Sequence, residues 1–327
     1  MSDNHGIRFH RVGTPEVLQW EPMPRLSPGP GELLLRNTAI GVNMKEVGER
    51  QGAYPCPPLP AIPGSEAVGV IEEAGSGVSE FHLGQRVCYA TMPTGSYCEY
   101  RVMPADRLIP VPDDLDDETV AATLHKGMTV RYLVRKTFPI RRGDTILVHA
   151  AAGGTGLLLC QWAKHLGATV IGTVGSEEKA DAARRAGCDF TIIYTREDFL
   201  PRVREITGGA GVPVVYDSVG ADTFTRSLEC LQPLGTMVLY GIASGHPPPL
   251  ELMKFDIWKS YFFTRPSFFV HTKEREDLLA SAYDLFAMLR SGGLTATVHA
   301  KFPLRDAAAA HTAMESRRTI GSILLIP

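Results

Sequence analysis

Glycines 153, 154 and 156 stand where a short apolar run meets a longer apolar-periodic segment, in LVHAAAGGTGLL, residues 147–158. Strand, tight turn, helix is the setting in which a glycine-rich loop holds a pyrophosphate. Glycine lets the backbone approach phosphate oxygens closely. The helix N-terminus adds unpaired N–H donors and the positive end of a dipole. Gly153 and Gly154 are therefore the first candidate binding residues. A strict GxGxxG is absent: in the register Ala151-Ala152-Gly153-Gly154-Thr155-Gly156, alanine takes the first glycine position. Alanine serves there if that residue keeps a negative φ. The plainer alternative is a turn whose glycines serve only helix–strand packing.

The end of the next strand discriminates between dinucleotides. An NAD site wants a carboxylate there, about 20 residues on, to hold the ribose hydroxyls. The chain instead reads Ile171-Gly172-Thr173-Val174-Gly175-Ser176, with no acid. Thr173, Ser176, Lys179 and, at the end of the third strand, Tyr194 are the cofactor candidates of this region. The hydroxyl of Ser176, the ammonium and the phenol suit a 2′-phosphate, which wants donors and positive charge. Glu177 and Glu178 are expected to be first-turn residues favoured by the helix dipole and to point away from the ligand. Lys179 also admits the reading of an ordinary solvated helix lysine. The expected cofactor is NADPH rather than NADH.

These residues need elements to position them. Between 126 and about 265 apolar strands alternate with helical segments. Strands are expected at 145–150, 168–174, 190–193, 213–216 and 236–240, with one more near 261–264. Helices are expected at 155–166, 176–186, 196–207 and 221–231. That alternation predicts a doubly wound parallel sheet, an α/β Rossmann fold. Residues 1 to about 125 are Gly- and Pro-rich, with short strand-like runs at 32–36, 67–72 and 85–90, and predict a β-rich domain with tight turns. The last 60 or so residues predict a helix at 275–291, a strand near 297–302, a helix at 304–314 and an apolar run at 323–326, a return to the first domain rather than a third one.

Composition narrows the function classes. The chain has 327 residues, a net charge of −3 and six cysteines at 56, 88, 98, 160, 188 and 230, none forming a CxxC pair. That spacing argues against a zinc ribbon and a dithiol centre, and for reduced thiols in the cytoplasm. Balanced charge and the lack of a basic run argue against nucleic acid. No run is long enough to span a bilayer, and the N-terminus lacks the apolar core of a secretory signal.

Longer motifs carry a resemblance. Gly41-Val42-Asn43, Pro63-Gly64-Ser65-Glu66-Ala67-Val68-Gly69, Val148-His149-Ala150-Ala151-Ala152-Gly153-Gly154 and Ile206-Thr207-Gly208-Gly209 resemble the zinc-free quinone oxidoreductases of the zeta-crystallin type. So do Val215-Tyr216-Asp217-Ser218-Val219-Gly220, Thr264-Arg265-Pro266 and the ending Gly321-Ser322-Ile323-Leu324-Leu325. These belong to the medium-chain dehydrogenase/reductase superfamily, and the likeness spans essentially the whole chain. It implies a GroES-like catalytic domain at 1–125, completed by 267–327, a Rossmann NADPH-binding domain at 126–266, and a cofactor in the cleft between them. Zinc-bearing relatives place a Cys where this chain has Asn43 and a His where it has Ser65. An amide and an alcohol are poor zinc ligands, so no metal site is expected.

The same resemblance implies roles. Asn43 lies beside the nicotinamide ribose, and Thr129 faces the phosphates or ribose. Ser176, Lys179, Tyr194 and Arg317 form the 2′-phosphate pocket, with Arg318 as the alternative to its neighbour. Ser218 and Gly241 lie over the adenosine and nicotinamide portions, and Phe263 and Thr264 bring backbone groups to the carboxamide. Tyr54 borders the quinone side, although it could equally be an aromatic that closes a turn. Where relatives follow the Asn with an apolar residue and an Asp, this chain has Met44-Lys45-Glu46. Lys45 is thereby expected to put a charge near the substrate's way in, and Pro247-Pro248-Pro249 to form a rigid loop near the mouth of the cleft. The expected activity is NADPH-dependent quinone reduction by a cytoplasmic homodimer. The alternatives are reduction of an enone or 2-enoyl thioester, and a non-catalytic nucleotide- or RNA-binding role.

Overall fold

The computed structural model describes residues 4–24, 26–251, 253 and 256–327. In chain order, β1 (Asn4–Arg8), β2 (Gln19–Met23) and β3 (Glu32–Val42) lead to α1 (Met44–Gln51). Next come β4 (Glu66–Ala74), β5 (Arg86–Ala90), β6 (Tyr100–Pro104), β7 (Ile109–Pro110) and α2 (Asp117–Tyr132). The alternating stretch follows: β8 (Thr145–Val148), α3 (Gly154–His165), β9 (Thr169–Val174), α4 (Glu177–Arg185), β10 (Phe190–Ile193) and α5 (Phe199–Ile206). It continues through β11 (Val212–Asp217), α6 (Phe224–Glu229), β12 (Leu231–Leu239) and β13 (Phe262–Thr264). The chain closes with α7 (Phe268–His271), α8 (Arg275–Arg290), β14 (Val298–Pro303), α9 (Ala307–Glu315) and β15 (Ser322–Ile326).

Two compact units result. The first comprises Met1–Met128, His271–Arg290 and Ala296–Pro327, and the second Thr129–Val270 with Ser291–Thr295. In the first, a sheet runs β14-β15-β3-β4-β5-β7, with β6 also on β3. The last strand, β15, pairs antiparallel with β3, Ile323 opposite Val42. The N- and C-terminal parts of the chain thus share one core, in which Leu33, Leu35, Ile40, Val87, Tyr89 and Leu325 are buried together.

In the second unit the strand order is β10-β9-β8-β11-β12-β13, and every pairing is parallel. The chain winds outward from β8 through β9 and β10, then returns to the other side of β8 with β11. Such a reversal opens a crevice at the carboxyl ends of the strands, where nucleotide ligands of this fold bind. The strands beside the switch are buried on both faces (Ile146, Leu147, Val148, Val214, Val215), as a parallel sheet covered by helices requires.

Some expected elements have different bounds. The first strand of the unit stops at Val148 rather than 150 because Ala150 turns the backbone into the left-handed region at φ 52°. The helix expected from 196 begins at Phe199, where the Asp198 carboxylate caps it by accepting from the Leu200 N–H. The helix expected over 221–231 contracts to Phe224–Glu229. Its start is delayed by Asp217, whose carboxylate accepts from the Val219 and Gly220 N–H groups and the Thr223 hydroxyl. At its other end Leu231 already belongs to β12. The strand expected at 236–240 thus starts earlier, and a register shift against β11 absorbs Gln232-Pro233-Leu234-Gly235 within it. Among the described residues no helix is long and apolar enough to cross a membrane.

Candidate active site

Parallel winding gathers the candidates of the second unit along one sheet edge. Gly153 and Gly154 follow β8, Thr173 and Ser176 end and follow β9, and Tyr194 follows β10. Ser218 follows β11, Gly241 follows β12, and Phe263 and Thr264 lie in β13. Gly153 is the N-cap of α3, so the free N–H groups of that helix open at the loop. Ala151 keeps a negative φ, as its place in the loop requires, and the left-handed residue is Ala150, one position earlier. Gly156 is held to glycine by packing, since a methyl there would overlap the Ala150 carbonyl oxygen. A Cβ on Gly241 would lie 2.8 Å from the Ser218 carbonyl oxygen, which ties the two strand ends closely together.

Beyond β9, Ser176 caps α4 by accepting from the Lys179 N–H at 3.4 Å. Its hydroxyl proton remains for a ligand. The Tyr194 phenol oxygen lies 2.7 Å from where a Cβ of Gly175 would stand, so it lies beside Ser176. Lys179 is half-buried, and burial pushes its ammonium below the usual lysine range against the opposing pull of Glu178. A cation already partly stripped of water gains most from an anionic partner. Glu177 is engaged by Arg184 and Arg196, at 3.2 and 2.8 Å.

The Thr173 hydroxyl is engaged within the protein. The residue is buried, and its hydroxyl lies 2.8 Å from His149 Nδ1. His149 Nε2 lies 2.8 Å from Ser227 Oγ, and that hydroxyl donates to the Thr223 carbonyl. With the serine proton so directed, Nε2 is the donor and Nδ1 accepts from Thr173. The imidazole therefore pins the strand before the glycine loop to β9 and α6. Burial keeps it neutral by pushing its pKa down. Sequence reasoning missed His149 and Asp217; the only signal was a polar residue at the end of an apolar strand.

In the first unit the geometry centres on Asn43. This residue is the N-cap of α1 and forms a capping box with Glu46: the Asn43 N–H donates to Glu46 Oε2 at 2.9 Å. Its side-chain Nδ2 donates to Glu66 Oε1 at 2.8 Å. Glu66 also accepts from the His125 N–H at 2.8 Å and from Lys126 Nζ at 3.4 Å. Ser65 donates to Glu46 Oε1 at 2.6 Å. All of these side chains are buried, except that His125 is half-buried by residue. Burial raises the Glu46 carboxyl, only partly opposed by Lys45 and the Ser65 hydrogen bond. Both carboxylates are thus committed to hydrogen bonds, and the two residues at the metal-ligand positions, an amide and an alcohol, are their donors. Among the described residues no group of three His, Cys, Asp or Glu side chains is placed to hold a metal ion.

The remaining candidates are dispersed. Tyr54 is half-buried just after α1, its ring lying against Gly48 where a methyl would overlap it. Lys45 pairs with Glu49 one turn along α1. Arg317 is exposed in a left-handed turn after α9, at φ 56°, and Arg318 beside it is exposed too. That turn is anchored within its unit, because the fully buried Arg50 of α1 ion-pairs with Glu315 and donates to the Gly13 carbonyl. Thr129 is buried in α2, where its hydroxyl bonds Tyr132. Phe263 is exposed on the outermost strand, edge-on to Phe224 at 5.8 Å. Pro247-Pro248-Pro249 lies in irregular chain of the second unit.

A GroES-like unit joined to a doubly wound nucleotide-binding unit defines a medium-chain dehydrogenase/reductase. Residues 29–113 match the alcohol dehydrogenase GroES-like domain, and residues 154–282 the zinc-binding dehydrogenase domain. The chain is 47% identical to a 2-haloacrylate reductase of Burkholderia sp, over 98% of each chain. It is 45% identical to quinone oxidoreductase 1 of Escherichia coli K12, over 98% of this chain and 99% of the relative. The crystal structure of Escherichia coli quinone oxidoreductase complexed with NADPH superposes with a TM-score of 0.96 at 44% identity, covering 99% of this chain and all of that one. The chain belongs to the quinone oxidoreductase family, the zeta-crystallin-like branch of that class.

Proposed function

We propose that the protein is an NADPH-dependent quinone reductase that works without zinc. The observation that carries this reading is the closed network at the metal-ligand positions, where Asn43 and Ser65 donate to Glu66 and Glu46. NADPH, when bound, supplies a hydride from its nicotinamide ring. A quinone is already electrophilic, so its reduction needs placement more than a Lewis acid. Gly153, Gly154 and the start of α3 hold the pyrophosphate. Ser176, Lys179 and Tyr194, with Arg317 or Arg318, hold the 2′-phosphate. Asn43 turns its amide oxygen to the nicotinamide ribose, and Thr129 serves the same part of the cofactor. Ser218 and Gly241 let the ligand lie close over the ends of β11 and β12, and Phe263 and Thr264 offer backbone groups to the carboxamide. Thr173 acts through His149, by fixing the strand that precedes the loop. Tyr54 donates a hydrogen bond to a quinone oxygen, and the reduced oxygen takes its proton from solvent.

A second reading, reduction of an activated C=C bond, is favoured by the 47% identity to a 2-haloacrylate reductase. Initial rates of NADPH oxidation with 1,4-benzoquinone, 2-cyclohexenone, crotonyl thioester and 2-chloroacrylate separate the two. The quinone is expected to give the highest kcat/KM; turnover of 2-chloroacrylate with none of the quinone would replace the first reading by the second.

We assign a homodimer as the working form. Among the described residues no strand pairs with the outer edge of β13, and Ile257, Trp258 and Phe262 beside it are 77, 85 and 60% exposed. An open edge flanked by large apolar side chains suits a second copy of the same strand. All six cysteines are free thiols, which supports a reducing compartment, the cytoplasm.

A further inference from the structure

Glu66 has no part in the roles above, yet it is fully buried immediately behind Asn43. We propose that Glu66 is a positioning residue: it fixes which end of the Asn43 amide is offered to the cofactor. The proposal rests on the reading of Asn43 as the ribose contact. An asparagine side chain has a donor end and an acceptor end of nearly equal shape, so its orientation is set by its partners. Glu66 Oε1 accepts from Nδ2 at 2.8 Å, and the capping box with Glu46 holds Asn43 from the other side through both its backbone N–H and its side-chain oxygen. A carboxylate has no donor to offer, so only Nδ2 can face it. The carbonyl Oδ1 is thereby turned away from Glu66, towards the Glu46 N–H at the start of α1, where its second lone pair is left to accept from a ribose hydroxyl. Lys126 Nζ, 3.4 Å from the same Oε1, supplies the counter-charge that lets the carboxylate stay buried, and the His125 N–H holds the other oxygen at 2.8 Å. One of the two positions emptied of metal ligands, Asn43, is thus bound to a carboxylate that orients its amide.

The test compares KM for NADPH with kcat for 1,4-benzoquinone in four variants, with melting temperature as the check on folding. Asn43→Ala reports on the underlying reading, and a KM for NADPH raised at least about ten-fold is expected from the lost contact. Glu66→Leu paired with Lys126→Met removes both charges without stranding either in the interior. It removes the acceptor that selects Nδ2 and leaves the amide held only at the capping box, and a similar rise in KM with kcat within about three-fold is expected. Glu66→Gln keeps an acceptor oxygen for Nδ2 and is expected to restore KM to within about three-fold of the starting protein. Lys126→Met alone controls for loss of the ammonium and is expected to change KM less than the double variant. An unchanged KM in the folded double variant, or a Glu66→Gln variant as impaired as the double, overturns the role of Glu66. An unchanged KM in Asn43→Ala would instead overturn the reading of Asn43 itself.

Discussion

Lys179 shows how little of a residue's working state its spacing carries. Its position after a strand end without an acid is legible, but its half-buried, partly desolvated ammonium is a product of packing. Bound against a dianionic phosphate, such a cation recovers charge-assisted hydrogen bonds of about 1.5–3 kcal/mol. Lys179→Ala is therefore expected to weaken NADPH about 10- to 100-fold while leaving NADH nearly unchanged. Titration of both cofactors by fluorescence checks this, and an equal loss for the two would contradict a 2′-phosphate contact. Asn43 and Ser65 are legible as non-ligands from their side-chain chemistry alone. Their partners are not, because Glu46 and Glu66 reach them through a helix cap and a cross-strand contact. Thr173 shows the same limit: a hydroxyl at a strand end is legible, but its hydrogen bond to the buried His149 is not.

At the scale of elements, the alternation of strands and helices is legible because strands of the second unit are built around short apolar runs, such as Ile146-Leu147-Val148 and Val214-Val215-Tyr216. The loop that joins β8 to α3 is less so. Its left-handed residue is an alanine, and its indispensable glycine is the one that packs rather than the pair that opens the helix. Gly156→Ala is accordingly expected to destabilise the protein by about 1–3 kcal/mol, since the carbonyl of Ala150 has no flexible side chain to yield. A denaturant titration would show this as a lowered midpoint, together with weaker NADPH binding as α3 is pushed from the sheet. A variant as stable as its parent would mean that the helix has room to move. Helix bounds near 199 and 224 were set by Asp198 and Asp217 through hydrogen bonds that no periodicity carries.

At the scale of the whole molecule, buried histidines set the acid limit of stability. Burial pushes His125 down to about 4 and His311 down to about 3, and it lowers His149 as well. Unfolding returns each to the ordinary range near 6.5. Between those values the unfolded chain binds more protons, so stability falls as pH drops from about 6.5 towards 4. The slope is about 1.4 kcal/mol per pH unit for each of His125 and His311, and His149 adds to it with the same sign. Glu46 has the opposite sign, because its raised carboxyl takes up a proton in the folded state first. Three histidines against one carboxyl leave a net loss, and thermal melts across this range should show a steep acid decline; a flat profile would contradict neutral buried imidazoles. The exposed Trp258 tests the proposed assembly: light scattering is expected to give a dimer for the parent and a monomer for Trp258→Asp, and a monomeric parent would overturn the dimer. Most directly at stake is hydride delivery to a quinone without a metal. The decisive measurement is NADPH oxidation by 1,4-benzoquinone after exhaustive chelation, with metal content determined on the same sample. Full turnover is expected at less than about one-twentieth of a zinc per chain, with added zinc giving no gain; activity lost on chelation and restored by zinc would overturn metal-free hydride delivery.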